Sequence, residues 1–254
     1  EAVKKFLLFI VEAPGQSSNQ TNAQWSASVI STFANSADKR IGICAGEAEI
    51  VSPLATPQAG RTMRRSIAYA LAARAGSVPI SEDMGRVASG PLLGVVSLYQ
   101  ADQSETLDAA GFSTAYSIQD YSGFFGQGRL KAPTGSDFVY WQDIRVLNEA
   151  MRLGYRGQTR YLNEGLRVRT SASGQYPAGS IDPADAQTVE AYLNGILREN
   201  LTKPGYATTA VATVDRTVNL LTTKTLKVKY DVAPLGTIKT INGTAGLKIP
   251  ALAL

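Results

Sequence analysis

Apolar positions change their spacing several times along the chain, and each change predicts an element. Residues 6–11 (FLLFIV) form an unbroken apolar run of strand length, which predicts a strand buried on both faces. Loop chemistry follows at 13–21, and Thr21 or Asn22 is placed to cap a helix carrying Trp25, Val29, Ile30 and Phe33 at helical spacing. Residues 40–50 return to an extended pattern interrupted by Gly42 and Gly46, and 53–60 read as a loop. Residues 61–75 predict a helix with Met63, Ile67, Ala70 and Leu71 on one stripe and Gly76 as its stop. Strand, helix, strand, helix in that order predicts an α/β unit with a largely parallel sheet.

The middle of the chain is rich in Gly and Ser. There 92–99 and 112–118 look like strands, and 123–128 reads as a turn between short strands. Ser136 and Asp137 open the clearest helical pattern, with Tyr140, Ile144, Leu147 and Met151 at i, i+4, i+7 and i+11 and Gly154 as its stop. A second helix is expected through Tyr161, Leu162 and Leu166. Asp182, Pro183 and Asp185 supply a capping carboxylate, a first-turn proline and a first-turn acid, with Val189, Leu193, Ile196 and Leu197 as the buried stripe and 203–205 as the end.

Beyond residue 206 the pattern turns to strands. Leu226, Val228, Tyr230 and Val232 alternate strictly with Thr225, Lys227, Lys229 and Asp231, as in a strand with one buried face. A further extended segment runs from 238 to 241, Asn242 and Gly243 make a hairpin-type turn, and 247–254 is apolar again. The predicted fold class is α/β, a mixed sheet flanked by helices with a C-terminal β-hairpin or extended arm. The expected division is a core at 1–235 and a strand-exchange arm at 236–254. Segment ends are normally frayed and polar. An apolar, strand-like one is suited to pairing with another subunit.

Composition narrows the classes. At 44% hydrophobic and 18% charged, the chain is neither disordered, collagen-like nor a disulfide scaffold. The net charge of +4 resides entirely in 217–254, where five lysines face one acid. Cys44, the single cysteine, lies in an apolar run and reads as a small buried hydrophobe, and nothing suggests an oxidising compartment. The run at 6–11 is far short of the ~20 apolar residues of a spanning helix. The sequence begins with Glu1, which reads as a fragment or processed product with upstream sequence missing. Histidine is absent, which removes Ser–His and Cys–His nucleophiles and the commonest zinc ligand, and lowers the expectation of catalysis.

The loop at 13–17 occupies the strand-to-helix position where dinucleotide folds bind phosphate, but it lacks the further glycines and a Walker lysine, so an ordinary connection is the plainer reading. The stretch 123–128 fails in the same way. Glu47, Glu49, Glu82 and Asp83 could pair carboxylates, and Asp182 with Asp185 could hold a metal, yet neither set has a recognisable ligand spacing and capping accounts for Asp182. Arg61, Arg64 and Arg65 are expected on one and a half helical turns, and Arg145, Arg152, Arg156, Arg160, Arg167 and Arg169 punctuate the next helical region. Asp143, Glu149 and Glu164 are interleaved with these, which favours a salt-bridged protein–protein face over nucleic-acid binding.

Three blocks resemble the C-terminal part of phage contractile tail sheath proteins. They are GPLLGV at 90–95 followed by GFST at 111–114; GSDF at 135–138 with Arg145 and Val146 on the helix behind it; and GSIDPADA at 179–186 leading to Val214, Asp215, Arg216 and the closing strands. The resemblance spans about 40–254 and rests on order and spacing. It implies a structural, non-enzymatic subunit without cofactor or metal, which polymerises as a helical homo-oligomer around a tail tube protein and contracts to drive the tube through a cell envelope. Baseplate and tail-terminator proteins are the further partners, and nucleic acid is not one. The implied location is a virion tail assembled in the host cytoplasm.

It further implies a C-terminal arm at 243–254, including Thr244, Leu247, Lys248, Ile249 and Leu252, that adds a strand to a neighbour, with a hinge at 234–236 or 242–243. Arg61, Arg64, Arg65, Arg152, Arg156 and Arg160 are the candidate tube or neighbour contacts. The chain departs from the family in having no obvious N-terminal arm, since 1–5 is too short. Two alternatives stand beside this reading: an α/β enzyme working through carboxylates, and a static baseplate or scaffold subunit.

Overall fold

A computed structural model describes residues 7–52 and 61–239. Strand β1 (Phe9–Glu12) leads to helix α1 (Asn22–Thr32), then β2 (Ile41–Cys44), β3 (Glu47–Val51), β4 (Thr62–Ser66) and α2 (Ala68–Ser77). Next come β5 (Val95–Leu98), the short helix α3 (Ser104–Ala109), β6 (Thr114–Ser117), β7 (Phe124–Gln127) and the long helix α4 (Trp141–Gln158). Helix α5 (Pro183–Leu197), β8 (Ala207–Val214), the single-turn α6 (Leu220–Thr223) and β9 (Val228–Pro234) complete the described chain. The result is a mixed α/β fold with several small sheets and a C-terminal β8–β9 hairpin. The expected 242–243 turn and the arm at 243–254 lie outside the described residues, as does the 53–60 loop.

Among the described strands only β1 and β2 pair in parallel, extended by a parallel bridge from Cys44 to Ser113. The β4-β3-β5, β6–β7 and β8–β9 pairings are all antiparallel, so the expectation of a largely parallel sheet is corrected. The break at Gly46, whose φ is +119°, lets the chain leave β2 and start β3 in a new sheet. Strand β1 buries one face, not two. Leu8 and Ile10 pack inward, whereas Leu7, Phe9 and Val11 remain exposed.

Helix α1 forms as expected. Thr21 and Gln24 make a reciprocal capping box, and Trp25 and Val29 are buried. Residues 61–66, expected to be helical, are instead strand β4, and the helix starts only at Ala68. The Ser66 hydroxyl accepts from the Ala68 N–H, which ends the strand and starts the helix. Residues 123–128 include strand β7 rather than a turn. The second helix expected through Tyr161, Leu162 and Leu166 does not form: a 3₁₀ turn at Thr159–Tyr161 ends α4, and 162–166 is not helical.

Helix α4 starts at Trp141, later than Ser136, and runs through Gly154 to Gln158. It joins the hydrophobic clusters. Trp141 and Ile144 belong to one with Leu71, Met84 and Leu92, while Val146, Ala150 and Leu153 belong to another with Val189, Leu193, Ala212 and Val214. Glycines create its two deepest seats. A Cβ on Gly42 would lie 2.4 Å from Trp141 Nε1, and a Cβ on Gly154 would lie 2.3 Å from Tyr230 Cζ. Gly154 is therefore a contact surface inside the helix, not its end.

Cys44 is fully buried, as expected, and burial pushes its thiol far above the ordinary range. Because the Trp141 ring cannot move off Gly42 without breaking its Nε1–H bond to Arg129 O at 2.8 Å, Gly42→Ala should destabilise the protein by about 1–3 kcal/mol. Urea unfolding followed by tryptophan fluorescence measures this, and an unchanged midpoint would show that the seat is loose.

Candidate assembly surfaces

Two places in the fold carry unusual chemistry: the β8–β9 hairpin and the root of the segment that follows it. Asp215 N–H donates to Lys227 O at 2.9 Å. With the β8–β9 register this makes 213/229, 211/231 and 209/233 the hydrogen-bonded pairs. The backbone groups of Ala210, Ala212 and Val214 on β8, and of Val228, Tyr230 and Val232 on β9, therefore point away from the partner strand.

The two outer edges are treated differently. On β8, helix α5 supplies substitutes for a strand: Ala212 N–H donates to Asn194 Oδ1 at 2.7 Å, and Asn194 Nδ2 donates to Ala212 O at 3.2 Å. Val214 N–H donates to Glu190 Oε1 at 2.9 Å, and Arg216 holds the other carboxylate oxygen at 2.8 Å. On β9 no such groups are present among the described residues, and the row at Val228, Tyr230 and Val232 is open. The side chains of these three residues pack inward against α4 and α5. Tyr230 Oη accepts from Gln158 at 2.9 Å, and burial pushes its phenol up to about 12, an effect that this hydrogen bond partly offsets.

After Pro234 the chain crosses to a nearly buried carboxylate. Lys239 Nζ lies 2.5 Å from Asp83 Oδ2 and 4.2 Å from the centre of the Tyr140 ring. Gln142 Nε2 donates to the same Asp83 oxygen at 2.9 Å, and the Gly85 N–H donates to the other at 2.8 Å. The path out of β9 is thus tied back to the core five residues after the strand ends.

The sequence-predicted arginines divide into distinct roles. Arg61, Arg64 and Arg65 do not share a helix: Arg61 precedes β4, and Arg64 and Arg65 occupy adjacent, oppositely directed positions on that strand. All three are exposed. Arg64 makes a two-pronged pair with Glu47 and stacks 4.3 Å from the Tyr99 ring.

Arg152, Arg156 and Arg160 are exposed at four-residue intervals along α4 and its 3₁₀ extension. Arg152 pairs with Glu149, and Arg160 lies over the Tyr192 ring. Arg145 turns inward to donate to Ala75 O and Val78 O at the end of α2. Arg167 pairs with Asp185, and Arg169 stacks on Tyr176. The arm residues Thr244, Leu247, Lys248, Ile249 and Leu252 lie outside the described residues.

The carboxylates proposed for catalysis or metal binding have structural partners. Glu49 accepts from the Thr62 hydroxyl, and Glu82 pairs with Arg86. Asp182 caps α5 through the Ala184 N–H, and Asp185 is held by Arg167. No group of three or more potential metal ligands occurs among the described residues. Glu47 occupies the loop where a phosphate would sit, accepting the Gln16 N–H at 3.2 Å. Sequence reasoning missed this substitution and the Asn194–Ala212 edge closure. An asparagine on a helix gives no warning of a strand lying beside it.

Comparison with known proteins follows from this geometry. The family model described as DUF2586, N-terminal domain, matches residues 1–128. A chain of the cryo-EM structure of the anti-feeding prophage baseplate superposes with a TM-score of 0.62 at 10% identity, covering 95% of this chain and 60% of that one. The contracted helical sheath of the same prophage gives 0.61 at 12% identity, covering 95% and 61%. The contracted PVC sheath complex of an extracellular contractile injection system gives 0.61 at 12% identity, covering 94% and 64%. The chain therefore carries the fold of these sheath and baseplate chains and spans about three fifths of their length. No curated protein sequence matches.

The Glu47 cluster sets an acid response. Burial by itself raises the Glu47 carboxyl, but the hydrogen bonds from Arg64, Gln16 and Gln100 outweigh it and hold the group below its ordinary value. Its contribution is therefore fully present above the unfolded value of about 4.3 and is lost as pH falls through the lower folded value. Glu47→Gln should flatten the loss of stability between about pH 5 and pH 3. Chemical denaturation as a function of pH reads this, and parallel wild-type and mutant curves would contradict it.

Proposed function

The chain belongs to the DUF2586 family, matched over that family's N-terminal domain at residues 1–128, and from the fold it shares with sheath and baseplate chains we propose that it is a structural subunit of a contractile, phage-type tail, building a sheath around an inner tube. The observation that carries this reading is the open row of backbone groups on β9, beside a β8 edge that its own helix closes. A two-stranded ribbon is marginal by itself. A strand from another copy would complete it and satisfy Val228, Tyr230 and Val232.

The donor is the segment 243–254, with Thr244, Leu247, Lys248, Ile249 and Leu252 as its interface residues. The core is then 1–235, and 236–254 is the arm, tethered at Lys239. Such a connection keeps subunits joined while their packing rotates, with 234–236 as the hinge. The contraction of this sheath would drive the tube through a cell envelope.

The exposed row Arg152, Arg156 and Arg160 and the exposed Arg61, Arg64 and Arg65 are the two basic surfaces for contacting the tube or a neighbour; each holds an arginine already paired within the fold, Arg152 with Glu149 and Arg64 with Glu47. The subunit needs no cofactor, and its catalytic role is nil in this reading.

A second reading is favoured by one finding. The baseplate chain superposes as closely as the sheath chains do, so a fixed baseplate component has the same structural support. Contraction separates the two. A sheath forms tubes that shorten when triggered, whereas a baseplate component forms closed rings.

Two variants test the edge. Val232→Pro removes an outward N–H that β8 does not use, so the protein should still fold, losing only part of the Val232 packing, but should lose polymers in negative-stain microscopy. Asp231→Pro removes an N–H used by β8 and should destabilise the fold itself. Deleting 243–254 should leave folded monomers. Polymers of undiminished length from Val232→Pro, or from the truncated chain, would refute the proposal.

A further inference from the structure

Among the described residues, the strap after β9 is held to the core at a single place. Residues 235–238 are exposed and make no hydrogen bond there. Ile238 is 79% exposed, so its side chain anchors nothing. The strap forms one side of a cavity of about 990 Å³, whose other walls include Tyr116, Gln127 and Tyr206. Lys239 is the strap residue that finds a partner, the Asp83 carboxylate.

What receives Lys239 is assembled without it. The Asp83 side chain is 9% exposed, and the Gly85 N–H and Gln142 Nε2 fix its two oxygens. Gln142 lies on α4 beside the buried Trp141, so the core places the carboxylate and the strap does not. The Tyr140 ring adds a face 4.2 Å from Lys239 Nζ, which attracts an ammonium through its quadrupole. Burial pushes the Asp108 and Asp143 carboxyls up, and the Lys239 charge pulls each of them back, so three acids share its field. Arg129, 5.4 Å from the same ring, is engaged by Asp108 at 3.2 Å. Without Lys239 the Asp83 carboxylate has no cation of its own among the described residues, and a nearly buried, unpaired carboxylate is costly.

We propose that Asp83 and the Tyr140 ring, backed by Gln142, form a receptor for a primary alkylammonium, that Lys239 fills it as a detachable plug, and that the strap 235–238 lifts off the cavity whenever the plug leaves. The proposal rests on contacts within one chain and is independent of the sheath reading.

Chemical rescue of the full chain tests it, with n-butylammonium as the lysine side chain without its backbone. Lys239→Ala should lower the melting temperature by about 3–6 °C. Butylammonium chloride at about 100 mM should recover at least half of that loss relative to sodium chloride at equal ionic strength, because it binds the folded state. The gain should saturate. It should be missing from wild type, whose receptor is filled, and from the double variant Asp83→Asn, Lys239→Ala.

The strap is read separately, by chymotrypsin cutting after Leu235, followed by mass and normalised to a free peptide. Lys239→Ala should be cut roughly ten-fold faster than wild type and should stay fast in butylammonium, since a free ligand fills the receptor without returning the strap. Asp83→Asn with Lys239 in place should free the strap to a similar degree, which keeps the latch testable if Lys239→Ala does not fold. Rescue that is absent, or equal in the double variant, overturns the receptor. Cutting after Leu235 at the wild-type rate in both single variants overturns the plug.

Discussion

Every backbone N–H and C=O in a sheet must find a partner or face water, and the β8–β9 hairpin divides that requirement unequally. Asn194 and Glu190 imitate a strand along the outer side of β8, so that side is finished within the chain. Along β9 the inward side chains are packed against α4 and α5 while the outward backbone groups stay unpaired among the described residues. A sheet finished on one side and open on the other has a direction for growth. In the proposed assembly it takes a further strand on β9, whereas the closed half of β8 has no free groups to offer at Ala212. The single-sided design also limits promiscuous edge pairing, which is the usual hazard of short ribbons.

The rest of the fold holds that hairpin in place. Helix α4 is seated at its start by Trp141 against Gly42 and along its later turns by Gly154 against Tyr230, so one rod joins the N-terminal clusters to the C-terminal one. Force applied to the open strand would pass through Tyr230 into α4 and from there to the β2 region. The Lys239–Asp83 pair ties down the chain after the hairpin, leaving 235–238 as the short span between strand and anchor. The same fold occurs in sheath and baseplate chains at 10–12% identity.

Much of this was legible from residue spacing, and the exceptions have physical causes. The α1 and α5 helices were readable because their caps are local: Thr21 with Gln24, and Asp182 with Pro183. The β9 alternation was readable because one face is buried and the other is not. Strand β4 reads as helix because Thr62 is the one strong β-former in its Met- and Arg-containing run, which flows into an alanine-rich helix with Ser66 at the boundary. Gly154 was misread as a stop because a glycine that ends a helix and one that admits a neighbouring ring look the same without the neighbour. The six-residue run at 6–11 suggested two buried faces, whereas half of β1 is left uncovered. The open edge itself was invisible in the sequence, since it depends on where Asn194 and Glu190 fall in space.

The most direct measurement is amide hydrogen exchange of Val228, Tyr230 and Val232, compared between the monomer and the assembled particle. The account predicts that these three outward amides exchange readily in the monomer and become strongly protected on assembly, while Lys229 and Asp231, already bonded to β8, change little. Equal exchange of the outward amides in both states would contradict it.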